Sequence, residues 1–172
     1  KRVVYYAFDN LDGEVMERLF ALVTGLDITE PKVSADYGQA VREALGGESR
    51  RFVLKTMPVR SMSPADVHRH VLKVQGYLRW RDLEAGLPED SAGKVDMICV
   101  DYGDLLSPAK HYDQLRINLQ KIFEDLTGLA KVLQCVVWSA TQGNRESLKK
   151  VQTKEWFGME DIAEGYGKTM PM

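Results

Sequence analysis

Apolar residues fall along this chain in two alternating rhythms: short β-branched or aromatic runs, and longer stretches where apolar side chains recur every three or four residues. Residues 3–8, Val3-Val-Tyr-Tyr-Ala-Phe8, predict a strand, and Asn10 to Gly13 predict a turn that starts a helix reaching about Thr24. Met16, Leu19, Phe20 and Val23 form the apolar face of that helix, and Gly25 supplies its stop. A second helix is expected from about Ala35 to Leu45, ended by Gly46-Gly47, with a strand at 52–57 after it.

Ser63-Pro64 marks the next helix start: serine caps the free amides, proline suits the first helical position, and Asp66 meets the positive end of the helix. Val67, Val71, Val74 and Leu78 give this helix one apolar stripe, and the loop 85–93 leads into a strand ending at Asp101. Leu115, Leu119, Ile122, Leu126 and Leu129 predict the longest amphipathic helix, from about Tyr112 to Lys131, with a strand from Val132 to Trp138 after it. Strands alternating with helices of this length imply an α/β fold: a mainly parallel sheet, right-handed crossovers and helices on both faces. No repeat, low-complexity tract or linker interrupts residues 1–172, so a single domain is expected.

A formal charge of −2 gives no overall drive toward nucleic acid or an anionic membrane, so any DNA contact must come from local basic groups. Cys99 and Cys135 lie in apolar strand runs and read as buried free thiols, which fits a reducing cytoplasm. No segment approaches the ~20 apolar residues of a membrane span, so a cytosolic protein is expected. The chain opens on Lys1, enters a strand at once and stops without a closing element at Met172, so it reads as a piece of something longer.

Three apolar runs end in polar groups, at the strand ends where open α/β sheets bind ligands. Asp101 follows Met97-Ile-Cys-Val100, and a carboxylate there can hold Mg²⁺ beside a triphosphate. Asp9 ends the first strand, where a carboxylate can orient or deprotonate water, and Gln142 ends the last, where an amide can bond a terminal phosphate with Arg145 adding charge. Each has an ordinary structural reading too: Asp101 as a cap or loop residue, Asp9 as a helix N-cap, and Gln142 and Arg145 as loop residues. Asp104 reads as a solvated turn residue. His68 and His70 do not share a helix face as an i, i+4 metal pair would. Gly167-Lys168-Thr169 imitates a phosphate loop, but the required earlier glycine falls on Ile162, and no complete phosphate loop occurs in these residues.

In this order the pieces resemble the RecA-like ATPase core of DnaB-type replicative helicases, especially the phage hexameric ones, over nearly the whole chain. Val3–Asp9 with the helix beginning Gly13-Glu-Val-Met looks like the family's second strand, catalytic acid and following helix. Met97-Ile-Cys-Val-Asp101-Tyr looks like its Walker B strand, and Trp138-Ser-Ala-Thr-Gln142-Gly-Asn-Arg145 like its sensor motif. The resemblance implies Asp9 as catalytic carboxylate, Asp101 as the Mg²⁺-linked acid and Gln142 as γ-phosphate sensor, with ATP or another NTP as cofactor. It also implies that Gly165, Tyr166, Gly167 and Lys168 lie near a central-channel loop for single-stranded DNA. Lys149, Lys150 and Lys154 would extend that path beyond Arg145, a solvated basic helix being the other reading of these four cations.

Two departures stand out. The family usually has glutamate where Asp9 sits. Its phosphate loop should lie just before Lys1 and its arginine finger beyond Met172, so the α/β core is incomplete at both ends and the isolated chain is expected not to hydrolyse ATP. The implied whole is a hexameric ring motor in the cytoplasm of a bacterial or phage-infected cell, with a primase or helicase loader as partner and no membrane. Two further readings are a catalytically inactive RecA-like DNA-binding or ring-scaffold domain, and a Mg²⁺-dependent phosphotransferase using Asp9 and Asp101 together.

Overall fold

The computed structural model of the protein describes residues 1–25, 43 and 51–142. Its elements are β1 (Val3–Ala7), α1 (Asp12–Thr24), β2 (Phe52–Thr56), α2 (Pro64–Glu84), β3 (Met97–Asp101), a 3-10 turn (Gly103–Leu105), α3 (Leu115–Leu133) and β4 (Val136–Ser139). Of the helix expected at 35–45, residue 43 is described and is helical, and the others lie outside the described residues. The four strands form one sheet in the order β2-β1-β3-β4, and all three pairings are parallel. The step from β1 to β2 runs one way across the sheet, and those from β2 to β3 and β3 to β4 run the other. Right-handed crossovers therefore put α1 on one face and α2 and α3 on the opposite face. Among the described residues no helix is long and apolar enough to cross a membrane.

The main core lies between the sheet and the α2–α3 layer. Val4, Tyr6, Ile98 and Val100 point into it from alternate strand positions, against Val67, Val71 and Leu78 of α2 and Leu119, Ile122, Leu126 and Leu129 of α3. The predicted stripes of both helices are thus the buried ones, apart from the half-buried Val74 and the exposed Leu115. On α1, Phe20 is buried as expected, Met16 and Leu19 are half-buried, and Val15 is buried although it lay outside the predicted face.

The Ser63 start forms as read. Ser63 Oγ accepts from the Asp66 amide (3.3 Å), while the Asp66 carboxylate accepts from the Ser63 amide (3.0 Å) and hydroxyl (2.6 Å). These bonds to Ser63 hold the Asp66 carboxyl below its ordinary value. The α3–β4 boundary differs from the expectation. Val132 is helical and α3 runs to Leu133, closed by Gln134 in the left-handed conformation (φ 50°) with its N–H on the Ala130 carbonyl. A glutamine is a rare residue for that cap, so no glycine announced it. At its other end α3 starts later than Tyr112, because the buried Asn118 side chain accepts from the Tyr112 amide (2.7 Å) and donates to its carbonyl (2.8 Å), holding that residue in the loop.

A buried ion pair fastens the start of β1. Arg2 donates to both carboxylate oxygens of Asp82 at 2.6 Å, and the Gly93 amide adds a third bond to Asp82 at 2.8 Å. Asp82 is fully buried. Gly93 has φ +76°, and a Cβ there would lie 2.6 Å from the Gln75 carbonyl oxygen, so this position requires glycine.

Candidate functional site at the strand C-termini

Parallel pairing brings the C-terminal ends of β1, β3 and β4 side by side, with Ala7 opposite Asp101 and Val100 opposite Ser139. Asp9 follows β1 in an exposed bend. Asp101 ends β3 half-buried, on the sheet face opposite the main core, and its Oδ2 accepts a 2.6 Å hydrogen bond from the Tyr5 hydroxyl of the neighbouring strand. Burial, with the Asp101 carboxylate behind it, raises the Tyr5 hydroxyl above the usual tyrosine range, so Tyr5 stays protonated and donates. Asp101 Oδ1 has no hydrogen-bond partner among the described residues.

Beyond Asp101 the chain turns through Tyr102, Gly103 and Asp104 and is bound to the end of β4 residue by residue. The Asp101–Tyr102 peptide is cis. Ser139 Oγ donates to the Val100 carbonyl (2.9 Å) and accepts from the Gly103 amide (2.9 Å), so one hydroxyl ties the two strand ends together. A Cβ on Gly103 would lie 2.9 Å from both Ser139 Oγ and the Phe123 ring, so a larger residue there would displace one of these side chains. Thr141 Oγ1 reaches both oxygens of Asp104 (2.8 and 3.0 Å), and the Gln142 amide donates to the same carboxylate (3.3 Å). Gln142 Nε2 donates to the Tyr102 hydroxyl at 2.7 Å.

Asp104 is therefore not the solvated turn residue expected from sequence. It is half-buried and holds the backbone from which the Gln142 side chain projects. Its partner Thr141 is 37 residues away, a pairing no local pattern reveals. Burial raises the Tyr102 hydroxyl, and Asp9, Asp104 and Asp101 add to that rise while the Gln142 bond opposes it. Three carboxylates thus act on one phenol in the same direction. Sequence reasoning missed Tyr5, Tyr102, Ser139 and Thr141; the available signal was hydroxyl residues flanking both polar strand ends.

A half-exposed carboxylate with one unoccupied oxygen is a hard oxygen donor of the kind Mg²⁺ takes in ones and twos beside phosphate. Among the described residues no group of three or more His, Cys, Asp or Glu side chains is placed to hold a metal unaided. Asp101 therefore fits Mg²⁺ brought with a nucleotide better than a permanent protein-held ion. His70 has a different role from a metal ligand: its Nδ1 is 2.7 Å from the Tyr6 hydroxyl. Cys99 and Cys135 are free thiols, Cys99 buried and pushed up to about 11 by that burial. Arg145, Lys149, Lys150, Lys154, Gly165, Tyr166, Gly167 and Lys168 lie outside the described residues.

A parallel sheet in the order β2-β1-β3-β4 with helices on both faces is an α/β fold that the chain shares with solved ATPase structures. Among solved structures the chain is similar to one described as an ATPase domain, with a TM-score of 0.67 and 18% identity over 98% of this chain and 55% of that one. It is similar as well to the protein of "The Structure Of A DnaB-Like Replicative Helicase And Its Interactions With Primase", with a TM-score of 0.64 and 16% identity over 97% of this chain and 37% of that one. The chain thus spans about half, or less, of the length of these two neighbours. No protein-family model matches the sequence, and no curated protein matches it.

Proposed function

We propose that this chain is the central part of an ATP-driven replicative DNA helicase motor that works as a homo-oligomeric, hexameric ring in the cytoplasm and moves on single-stranded DNA. The observation that carries this reading is the bridge beyond two strand ends: Gln142, three residues after β4, bonded to Tyr102, the residue next to Asp101 of β3. A group that senses a phosphate beside Asp101 is thereby connected to whatever follows Gln142 in the chain. The fold shared with helicase ATPase domains, one of them described together with primase, supports the same reading and suggests a primase or loader as a further partner.

In this proposal Asp101, its carboxylate fixed by the Tyr5 hydroxyl on Oδ2, would be the residue that holds Mg²⁺. Mg²⁺, when bound, offsets phosphate charge that three nearby carboxylates would otherwise repel. Asp9 orients or deprotonates the attacking water. Gln142 donates to the terminal phosphate, exchanging its bond to Tyr102, and Arg145 adds positive charge there. Lys149, Lys150, Lys154 and the segment Gly165-Tyr166-Gly167-Lys168 follow the phosphates of DNA.

The test is ATP hydrolysis by the intact gene product with and without single-stranded DNA. DNA-stimulated turnover that falls by about a hundredfold or more in Asp101→Asn and Gln142→Ala is expected. Turnover unchanged in both variants would remove these residues from the mechanism. DNA binding without any turnover would instead favour a catalytically silent ring or scaffold domain.

A further inference from the structure

On the core side of β2, away from the strand ends, a groove of about 440 Å³ runs between that strand and α2. Its floor is apolar, built from Val53, Val74 and Leu78, and its wall carries His70, Lys73, Tyr77 and Arg81. Among the described residues no acidic side chain lines it. Lys55 shares the face of Val53, two residues along β2, and with Lys73 it depresses the His70 pKa behind burial, so both ammonium groups lie near that ring. Neither lysine has an ion-pair partner among the described residues.

One end of the groove is already ordered. Arg81 donates to the Tyr77 hydroxyl at 2.6 Å, and its guanidinium stands 5.7 Å from the centre of the same ring. Tyr77 remains 55% exposed, as does Trp80, whose ring centre lies 6.3 Å from that of Tyr77. Exposed aromatic and arginine side chains fixed before any partner arrives are the residue types that dominate binding surfaces, because little side-chain entropy is then lost on contact.

We infer that this groove is a docking site for an acidic amphipathic helix of a partner protein. The helical form follows from the lining of α2, which recurs at 70, 73, 74, 77, 78 and 81 and so extends about 16 Å, three turns, along one face. The acidic character follows from two lysines and an arginine around an apolar floor, with neither an ion-pair partner for the lysines nor a counter-charge in the lining among the described residues. An apolar floor favours leucine-like side chains over a phosphate backbone, which asks for cations along its whole path. This inference stands apart from the nucleotide site and holds whether or not the chain hydrolyses ATP.

Fluorescence anisotropy on the full 172-residue chain tests it with a labelled synthetic helix carrying leucine at i, i+3, i+4 and i+7 spacing and glutamate elsewhere. The expected result is saturable binding, weakened roughly tenfold or more by the Lys55→Glu/Lys73→Glu double variant. A matched peptide with lysine for glutamate should not bind the natural protein and should bind the double variant. Lys73→Glu alone, at an exposed position, serves as the folded control, checked by circular dichroism, and should show the same direction of change. No binding, equal binding of both peptides, or binding unmoved by these variants would overturn the inference. So would an oligo(dT) strand that binds through the two lysines where the acidic peptide does not.

Discussion

Where its strands begin, the sheet is fastened by a buried charge pair; where they end, it is held by hydroxyls and amides at a half-open surface. Arg2, Asp82 and Gly93 form the first arrangement, with opposite charges paired and the Arg2 and Gly93 bonds to Asp82 at 2.6 to 2.8 Å. At the other end the Tyr5, Tyr102, Ser139 and Thr141 side chains hold Asp101, Gly103, Asp104 and Gln142, with three carboxylates acting on one phenol. Like charges kept together lower stability, and a matched buried pair cannot lose one partner without leaving the other uncompensated. The contrast sets a stabilising buried pair at one end of the sheet against the proposed nucleotide site at the other.

Substitutions should separate the two ends. Asp82→Ala strands the Arg2 charge and the Gly93 amide, and a loss of about 3 to 5 kcal/mol is expected in urea unfolding. Gly93→Ala keeps the pair but forces a Cβ against the Gln75 carbonyl at a positive φ, for an expected loss of about 1 to 3 kcal/mol in the same measurement. Ser63→Ala removes the cap of α2 and should cost about 1 kcal/mol. That cost depends on pH. Asp66 has a folded pKa below its unfolded one, so its contribution is present above the ordinary aspartate value and lost as pH falls through the lowered one. The difference between the natural protein and Ser63→Ala should accordingly narrow in acid unfolding series. Smallest of all in stability is Thr141→Val, which breaks the bond to Asp104 for about 0.5 to 1 kcal/mol yet should shift the Gln142 side-chain amide resonances, because the two residues share that carboxylate.

How far each end was legible from sequence follows from the range of the forces involved. Asp101 and Gln142 were visible because an apolar run ending in a polar residue is a local pattern, and parallel strands then carry such ends to one edge. The stripe Val67, Val71, Val74, Leu78 was visible for the same reason, whereas Asp82, four residues further along the same face and buried, was not singled out. What the pattern could not supply was the partner of Asp82, since Arg2 is 80 residues away. Asp104 was misread because its environment is made by Thr141, and the Tyr6 partner of His70 could not be foreseen because it comes from a strand 64 residues earlier. The α3–β4 boundary slipped because Gln134 closes the helix in a conformation that usually calls for glycine.

The most direct test of this division compares Asp101→Asn with Asp82→Asn in the intact gene product, measuring unfolding free energy and DNA-stimulated ATP turnover on the same samples. The expected result is that Asp101→Asn unfolds within about 1 kcal/mol of the natural protein, because asparagine can still accept from Tyr5, while its turnover is lost. Asp82→Asn should lose stability while its folded fraction keeps its turnover. Full turnover in Asp101→Asn would contradict the assignment of the strand C-termini as the nucleotide site.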